Sequence, residues 1–323
     1  MSPTEDHNGD IGSIQEDSAE TSQAHSSTRS GYVLVTSAFN EEKYIEATIL
    51  SVIAQTLRPL AWVIVSDGST DGTDSIILKY CRLHDFMSYV RAEHDATVPL
   101  PKFGAVAYRK VNALTTGLAT IANLPYAYVG NIDADVTIEP TFFSTLLERF
   151  EHDTTLGMGG GYIYNVIDSK QVPAFVNQRN VGGPLRMFRR SCYEDIGGYV
   201  PYAHEDTVAL ITARMKGWSA RSFAELKVYH HKTTSWTGIR RCKAKYRLGI
   251  FDYIMGDSPL WETLRCLKEI AESPAVLGYC LRLVGYAKGI TCEKRVLPPE
   301  VLRYIRQEQN SWLRTAISGG CKC

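Results

Sequence analysis

The sequence predicts an α/β fold: a doubly wound, mostly parallel sheet flanked by helices, with a helical C-terminal extension. Three observations support it. Short apolar runs with β-branched residues, YVLVTS (32–37), AWVIVS (61–66) and YAYVGNI (126–132), have the length and composition of buried strands. Stretches between them place apolar residues on one helical face. The two kinds of segment alternate, which is the pattern of parallel strands joined by right-handed crossovers.

After the first strand, Asn40, Glu41 and Glu42 provide a helix start, and Ile45, Ile49, Val52 and Ile53 share a helical face. The second strand runs into the turn-rich DGSTDGT (67–73), followed by a helix carrying Ile76, Ile77 and Tyr80. A loop with Pro99 and Pro101 precedes a helical stripe of Val111, Leu114, Leu118 and Ile121. GMGGGYIYNVI (157–167) has the look of a glycine fingerprint. Such a loop must join a strand to a helix, whereas here the chain continues as a β-like segment, so a dinucleotide site is rejected. EDTVALITARMKGW (205–218) reads as a helix that opens on two acids and stops at Gly217. Residues 260–315 are helical in composition, broken at Pro274 and at Pro298-Pro299.

Length and charge bound the function. The chain has 323 residues, 44% of them hydrophobic, enough for one large α/β domain with an appendage. Lys+Arg and Asp+Glu balance at 35 each, so nothing points to nucleic-acid binding. Residues 1–30 hold six acids against Arg29 alone and almost no large apolar residue; they read as a disordered acidic tail and not as a secretory signal. Residues 31–235 then form the α/β domain and 236–323 the helical extension. The eight cysteines show no Cys-x-x-Cys, the terminal Cys321-Lys-Cys323 has no partner pair, and no Asn-x-Ser/Thr acceptor occurs. These features point to a reducing, cytoplasmic location. No stretch reaches the ~20 apolar residues of a membrane span. AVLGYCLRLVGYA (275–287) is short and carries Arg282, which leaves peripheral contact at the inner face of a membrane open.

The chemistry concentrates at strand ends. Asp133-Ala-Asp135 closes the third strand, and alternation along a strand sends residues i and i+2 to one side, at the carboxyl edge where open α/β sheets bind ligands. Two carboxylates so close repel unless a cation or a proton relieves them, and a hard divalent cation with oxygen ligands is the natural relief. An Asx-rich turn is the plain alternative. Asp67 leaves the second strand on the same rim, where its carboxylate can accept from a base or a ribose, with Gly68 and Gly72 letting the backbone pass close to a ligand. An ordinary turn before a helix capped at Thr73 accounts equally well for these residues.

SAFNEEKYIEATILSVIAQT, WVIVSDGSTDGT, KVNALTTGL and NIDADV, in this order and spacing, resemble the family-2 inverting glycosyltransferases of the GT-A fold. The resemblance covers roughly residues 31–235. It implies a nucleotide-diphosphate-sugar donor, UDP above GDP or dTDP, with Mn2+ or Mg2+ bridging its diphosphate. Ala38, Asn40 and Glu41 would then line the nucleoside and Asp67 contact the base. Lys110 would lie near the donor, Asp133 would face the ribose or sugar, and Asp135 would bind the metal. Two positions depart from the family pattern: Ala38-Phe39 stands where Pro-aromatic is usual, and Thr115 where Asn is usual.

Downstream, His204-Glu205-Asp206 opens a helix, where acids stabilise the helix dipole and cap free N–H groups. The resemblance gives them a second reading, matching the family's Glu-Asp motif. Asp206 becomes the general base for an acceptor hydroxyl, and Glu205 orients the acceptor or Asp206. VYHHK (228–232) offers His230 or His231 to the metal, and alternation lets only one of them face the site. The resemblance favours His230. The basic residues 227–247, Arg240 and Arg241 among them, read as stabilisers of a departing diphosphate, as a solvated face, or as a contact for anionic lipid aided by Trp236 and Trp261. GGPLRMFRRSCYEDIGGY (182–199) occupies the family's acceptor region, with Gly182-Gly183 permitting close approach.

The expected activity is metal-dependent inverting transfer of a sugar to a hydroxyl of a glycan or lipid-linked acceptor. Rival readings are a polyprenyl-phosphate sugar synthase, a sugar nucleotidyltransferase that releases pyrophosphate, and a non-catalytic glycan- or partner-binding module on a transferase scaffold.

Overall fold

A computed structural model of the chain describes residues 31–92, 104–201, 204–232, 239–268 and 275–317. The acidic tail, Pro99, Pro101, Trp236, Pro274 and the terminal Cys-Lys-Cys lie outside these residues. In order, the elements are β1 (Tyr32–Ala38), α1 (Ile45–Ile53), β2 (Ala61–Ser66), α2 (Thr73–Cys81), β3 (Met87–Arg91), α3 (Ala105–Thr120), β4 (Tyr128–Ile132) and β5 (Val136–Ile138). There follow α4 (Phe142–His152), β6 (Leu156–Ile167), β7 (Lys170–Phe175), β8 (Leu185–Arg189), α5 (Arg190–Asp195), α6 (Glu205–Met215) and β9 (Ser219–His230). The extension is α7 (Ile239–Ile254), α8 (Pro259–Lys268), α9 (Ala275–Cys292) and α10 (Pro299–Ile317).

The strands form one sheet in the order β3-β2-β1-β4-β8-β6-β9-β5, with β7 paired to β6. β1 to β4, β6 and β9 run one way, while β5, β7 and β8 run the other. The sheet is thus mostly parallel and doubly wound, as the alternation of strands and helices predicts. Period-two alternation divides the core. Leu34, Trp62 and Ile64 face α1, α2 and α4, while Val33, Val35, Val63 and Val65 face α3 and α6. The strands β1, β2 and β4 fall where the apolar runs place them. The glycine-rich segment is the long strand β6, which turns back into β7 rather than into a helix.

One expectation needs a different physical basis. Asp133 and Asp135 do not sit on a strand: they flank Ala134 in the turn between β4 and β5. The turn is tied down by Thr48, whose hydroxyl donates to the Ala134 carbonyl at 2.9 Å, and by the Asp133 N–H bonded to the Pro184 carbonyl at 2.8 Å. Both acids remain at the carboxyl edge, but turn geometry rather than strand alternation aims them.

The described residues of the extension form these four helices and short connections, and none of the helices is long and apolar enough to cross a membrane. The extension docks against α6, where Val208 packs with Met255, Leu297, Val301 and Ile305. Within it α7 and α9 meet backbone to backbone. A Cβ on Gly249 would lie 1.9 Å from the Arg282 carbonyl oxygen, and one on Gly285 would lie 2.0 Å from that of Tyr246. Gly249→Ala should therefore destabilise the chain by about 1–3 kcal/mol in urea unfolding, although alanine is the better helix former. An unchanged midpoint would mean that the two helices are not this close.

Candidate active site

The rim carries five carboxylates, each matched with a basic side chain from another element. Asp67, at the end of β2, pairs with Arg109 of α3, whose Nε lies 2.8 Å from Oδ2 and whose Nη2 donates to the Asp67 carbonyl at 2.9 Å. Glu41 pairs with Lys232 just beyond β9 at 2.6 Å. Asp133 pairs with Lys110 of α3 at 2.7 Å, Asp206 with Arg186 of β8 at 2.8 Å, and Asp135 with His230 at 3.3 Å.

Backbone geometry aims these groups. Asn40 adopts a left-handed conformation after β1, and its Oδ1 accepts from the Thr70 N–H at 2.8 Å, tying the first loop to the DGSTDGT turn. Thr73 receives the Glu41 N–H at 2.8 Å, while Asp71 accepts the Thr73 N–H at 3.1 Å at the start of α2. Ala38 is fully buried, and its carbonyl accepts the Asp67 N–H. His204, also left-handed, leads into α6 and sets its ring edge-on to Phe251 of α7 at 5.2 Å.

The two histidines separate as alternation requires. β5 and β9 are antiparallel with Val136 opposite His230. His230 Nε2 faces Asp135 and its Nδ1 faces Asn165 Oδ1 at 3.2 Å, whereas His231 turns away to Thr137 at 2.8 Å. The hydrogen bond to Asp135 raises the His230 pKa, and burial lowers that of His231.

Burial raises the carboxyls of Glu41, Asp133 and Glu205, the last two despite the nearby Lys110 ammonium. Asp206 behaves oppositely. Burial pushes it up, but Arg186 and the Thr207 N–H outweigh that and bring it down to about 2. Asp206 Oδ1 accepts from Thr207 N at 2.7 Å. Arg186 is almost completely buried and sits in register with Asn131 of β4, whose Oδ1 accepts from Tyr199 Oη at 2.5 Å.

Asp206 and His230 open on one cavity of about 350 Å³, whose other walls include Ile163, Asn165, Gly183 and Arg186. A Cβ on Gly183 would stand 3.0 Å from Asp206 Oδ2, so this glycine keeps the carboxylate open to the cavity. The residues beside Asp135 suit a hard cation. Buried Glu41 Oε2 has no hydrogen-bond partner, and Glu41 feels the charges of both Asp135 and Asp133. The other acidic cluster among the described residues, Asp252, Asp257 and Glu262, is already engaged by Arg265 and Arg282.

Residues 33–190 match the family model described as Glycosyl transferase family 2. Over these residues, just under half of its length, the chain is similar to that family. The mixed sheet with its flanking helices is the GT-A fold. It resembles the mannosyltransferase PcManGT from Pyrobaculum calidifontis, in complex with GDP-Man and Mn2+, with a TM-score of 0.53 at 16% identity over 89% of this chain and 81% of that one. It also resembles residues 1–349 of S. aureus TarS in complex with UDP-GlcNAc, with a TM-score of 0.50 at 15% identity over 81% and 73%. Among curated relatives, poly-beta-1,6-N-acetyl-D-glucosamine synthase of Staphylococcus aureus (strain COL) is 29% identical over 127 residues, 39% of this chain and 27% of that protein. Its Staphylococcus epidermidis counterpart is 22% identical over 266 residues, 74% of this chain and 58% of that protein. The chain thus spans less than two thirds of either relative.

Within this domain, sequence reasoning names the carboxylates but misses three of their partners as such. Arg186 and Arg109 carry no motif, and Lys232 sits in a basic run where Arg240 and Arg241 drew attention. Those two arginines lie on α7 and do not line the cavity. Arg109 sets its guanidinium 5.0 Å from the Phe39 ring centroid.

The Arg186–Asp206 pair gives a pH-dependent test. Its stabilisation is fully present above the ordinary carboxyl range and is lost only as the pH falls toward 2. Arg186→Gln should cost about 3 kcal/mol at neutral pH by stranding a carboxylate. Asp206 in that variant should take up its proton at a higher pH than in the parent chain. Adding Asp206→Asn should restore most of the loss, as read by urea unfolding across pH; additive losses would mean the two groups are not coupled.

Proposed function

We propose that this chain is a metal-dependent inverting glycosyltransferase of the hexosyltransferase type, taking a nucleotide-diphosphate sugar, UDP-linked before GDP-linked, to a hydroxyl of a glycan or lipid-linked acceptor. The observation that carries this reading is the single cavity shared by Asp206 and by His230, which lies 3.3 Å from Asp135. In this reading the proton acceptor Asp206 and one cation ligand, His230, line the same chamber. The nucleotide sugars named for PcManGT and TarS and the polysaccharide named for the staphylococcal synthases point the same way.

In this reading Ala38, Asn40, Glu41 and Asp67 form the nucleoside end, and Lys110 holds Asp133 toward the ribose or sugar. Asp135 and His230 would hold Mn2+ or Mg2+, which when bound would neutralise charge developing on the diphosphate. Asp206 accepts the acceptor hydroxyl's proton as that oxygen bonds to the anomeric carbon. The carbon–oxygen bond to the diphosphate breaks with its electron pair, and the nucleoside diphosphate leaves. Residues 31–235 would form the catalytic domain and 236–323 the extension, with the chain working in the cytoplasm at the inner face of a membrane.

A second assignment of the base has its own support. A carboxyl held near 2 by an arginine is a weak proton acceptor, whereas burial raises Glu205, its neighbour at the start of α6. The acceptor would have to loosen the Arg186 pair for Asp206 to act.

A screen of nucleotide sugars with and without Mn2+ tests the whole reading: release of a nucleoside diphosphate is expected, and no turnover or binding of any donor would sink it. Asp135→Ala should abolish metal-dependent binding of the nucleotide, measured by calorimetry; unchanged affinity removes Asp135 from the metal site. Asp206→Asn should lower kcat by roughly 10²–10⁴-fold with little change in donor KM. If Glu205→Gln has the larger effect, Glu205 is the base. If both variants keep full activity, the acceptor is a phosphate and the polyprenyl-phosphate synthase reading takes over.

A further inference from the structure

Two of the C-terminal helices, α8 and α9, turn aliphatic side chains outward. On α9 the inward face carries Gly278, Arg282, Gly285 and Gly289, whereas Val276, Leu277 and Val284 are 55–60% exposed. On α8 the inward face carries Glu262 and Cys266, and Leu260, Leu264 and Leu267 point outward. A helix that packs on an apolar core does the reverse. The inversion follows from an ionic interior: Asp252, Asp257 and Glu262 are gathered by Arg265 and Arg282, and Tyr286 Oη donates to the Asp257 carbonyl at 2.6 Å. These polar groups satisfy one another inside, which leaves the aliphatic side chains without an inward partner.

We propose that the outward faces of α8 and α9, with the basic side of α7, form a docking surface for an anionic lipid bilayer. Charge selects this occupant. Residues 239–251 contain Arg240, Lys243 and Arg247, all exposed, and no acid. A second copy of the chain would bring this cationic surface against its own equivalent, which is repulsive. Residues 1–30 offer only Met1, Ile11 and Ile14 as large apolar side chains, too few to match such a face. The exposed side chains are aliphatic, unlike the aromatics that anchor protein partners. Aliphatic side chains immersed below the headgroups, with cations at the headgroup level, are what holds a helix flat on a membrane.

This surface does not depend on the transferase reading, and its test does not use activity. The full chain should sediment with vesicles of phosphatidylcholine and phosphatidylserine, and much less with phosphatidylcholine alone or at high salt. Leu264→Glu combined with Val284→Glu should weaken vesicle binding about tenfold or more while leaving nucleotide affinity and the thermal melt unchanged. No association with anionic vesicles, or equal association of the variant, overturns the proposal. So does a dimer in analytical ultracentrifugation that the same substitutions convert to a monomer, which would assign the face to a second copy.

Discussion

The rim of this molecule depends on keeping like charges apart. Asp67, Glu41, Asp133, Asp135 and Asp206 surround one cleft, and carboxylates so close together would repel strongly out of water. Each is matched with a basic side chain from a distant part of the chain: Arg109, Lys232, Lys110, His230 and Arg186. The pairs are not equivalent. Arg186 is buried and bonds both Asp206 and the Val181 carbonyl, whereas Lys232 is about half exposed, and an imidazole is the weakest base of the five. The rim is therefore held most loosely at the Asp135 end and most firmly at the Asp206 end.

That asymmetry extends into the helical extension. α6 begins with the Glu205-Asp206 pair and packs its Val208 against residues of the extension, and His204 lies against Phe251. The extension thus bears on the entry to the very helix that carries the candidate base. Around α8 and α9 arginine–carboxylate pairs and helices that touch at glycines hold it together, beside the aliphatic cluster of Met255, Leu297, Val301 and Ile305. Such pairs fix geometry through directional bonds, which an aliphatic core of the same size would not do.

The sequence is legible where the physics is local. Strand and helix periodicity places β1, β2 and β4, turn chemistry marks DGSTDGT, and the four motifs carry the family resemblance over the part of the chain they cover. The extension, helical in composition, is helical. Legibility ends where a partner is remote. Lys232 meets Glu41 across 191 positions, and Arg186 reaches the cleft only because β8 inserts antiparallel beside β4. No local period announces such an insertion, which is also why β7 and β8 are invisible beforehand. Asp133 and Asp135 show a subtler limit. Their location follows from the sequence, but a turn fixed by Thr48 and Pro184 aims them, and both anchors belong to other segments.

By itself, then, the sequence determined the fold class, the family resemblance and the set of acids, because periodicity, turn residues and motif spacing are written within a few residues of one another. Only the tertiary structure set His230 beside Asp135 and His231 beside Thr137, supplied Arg109, Arg186 and Lys232 as counter-charges, and turned the aliphatic faces of α8 and α9 outward. Each of those outcomes depends on which distant segment lies alongside. That is settled by sheet register and helix packing, which one sequence read alone does not encode in any local signal.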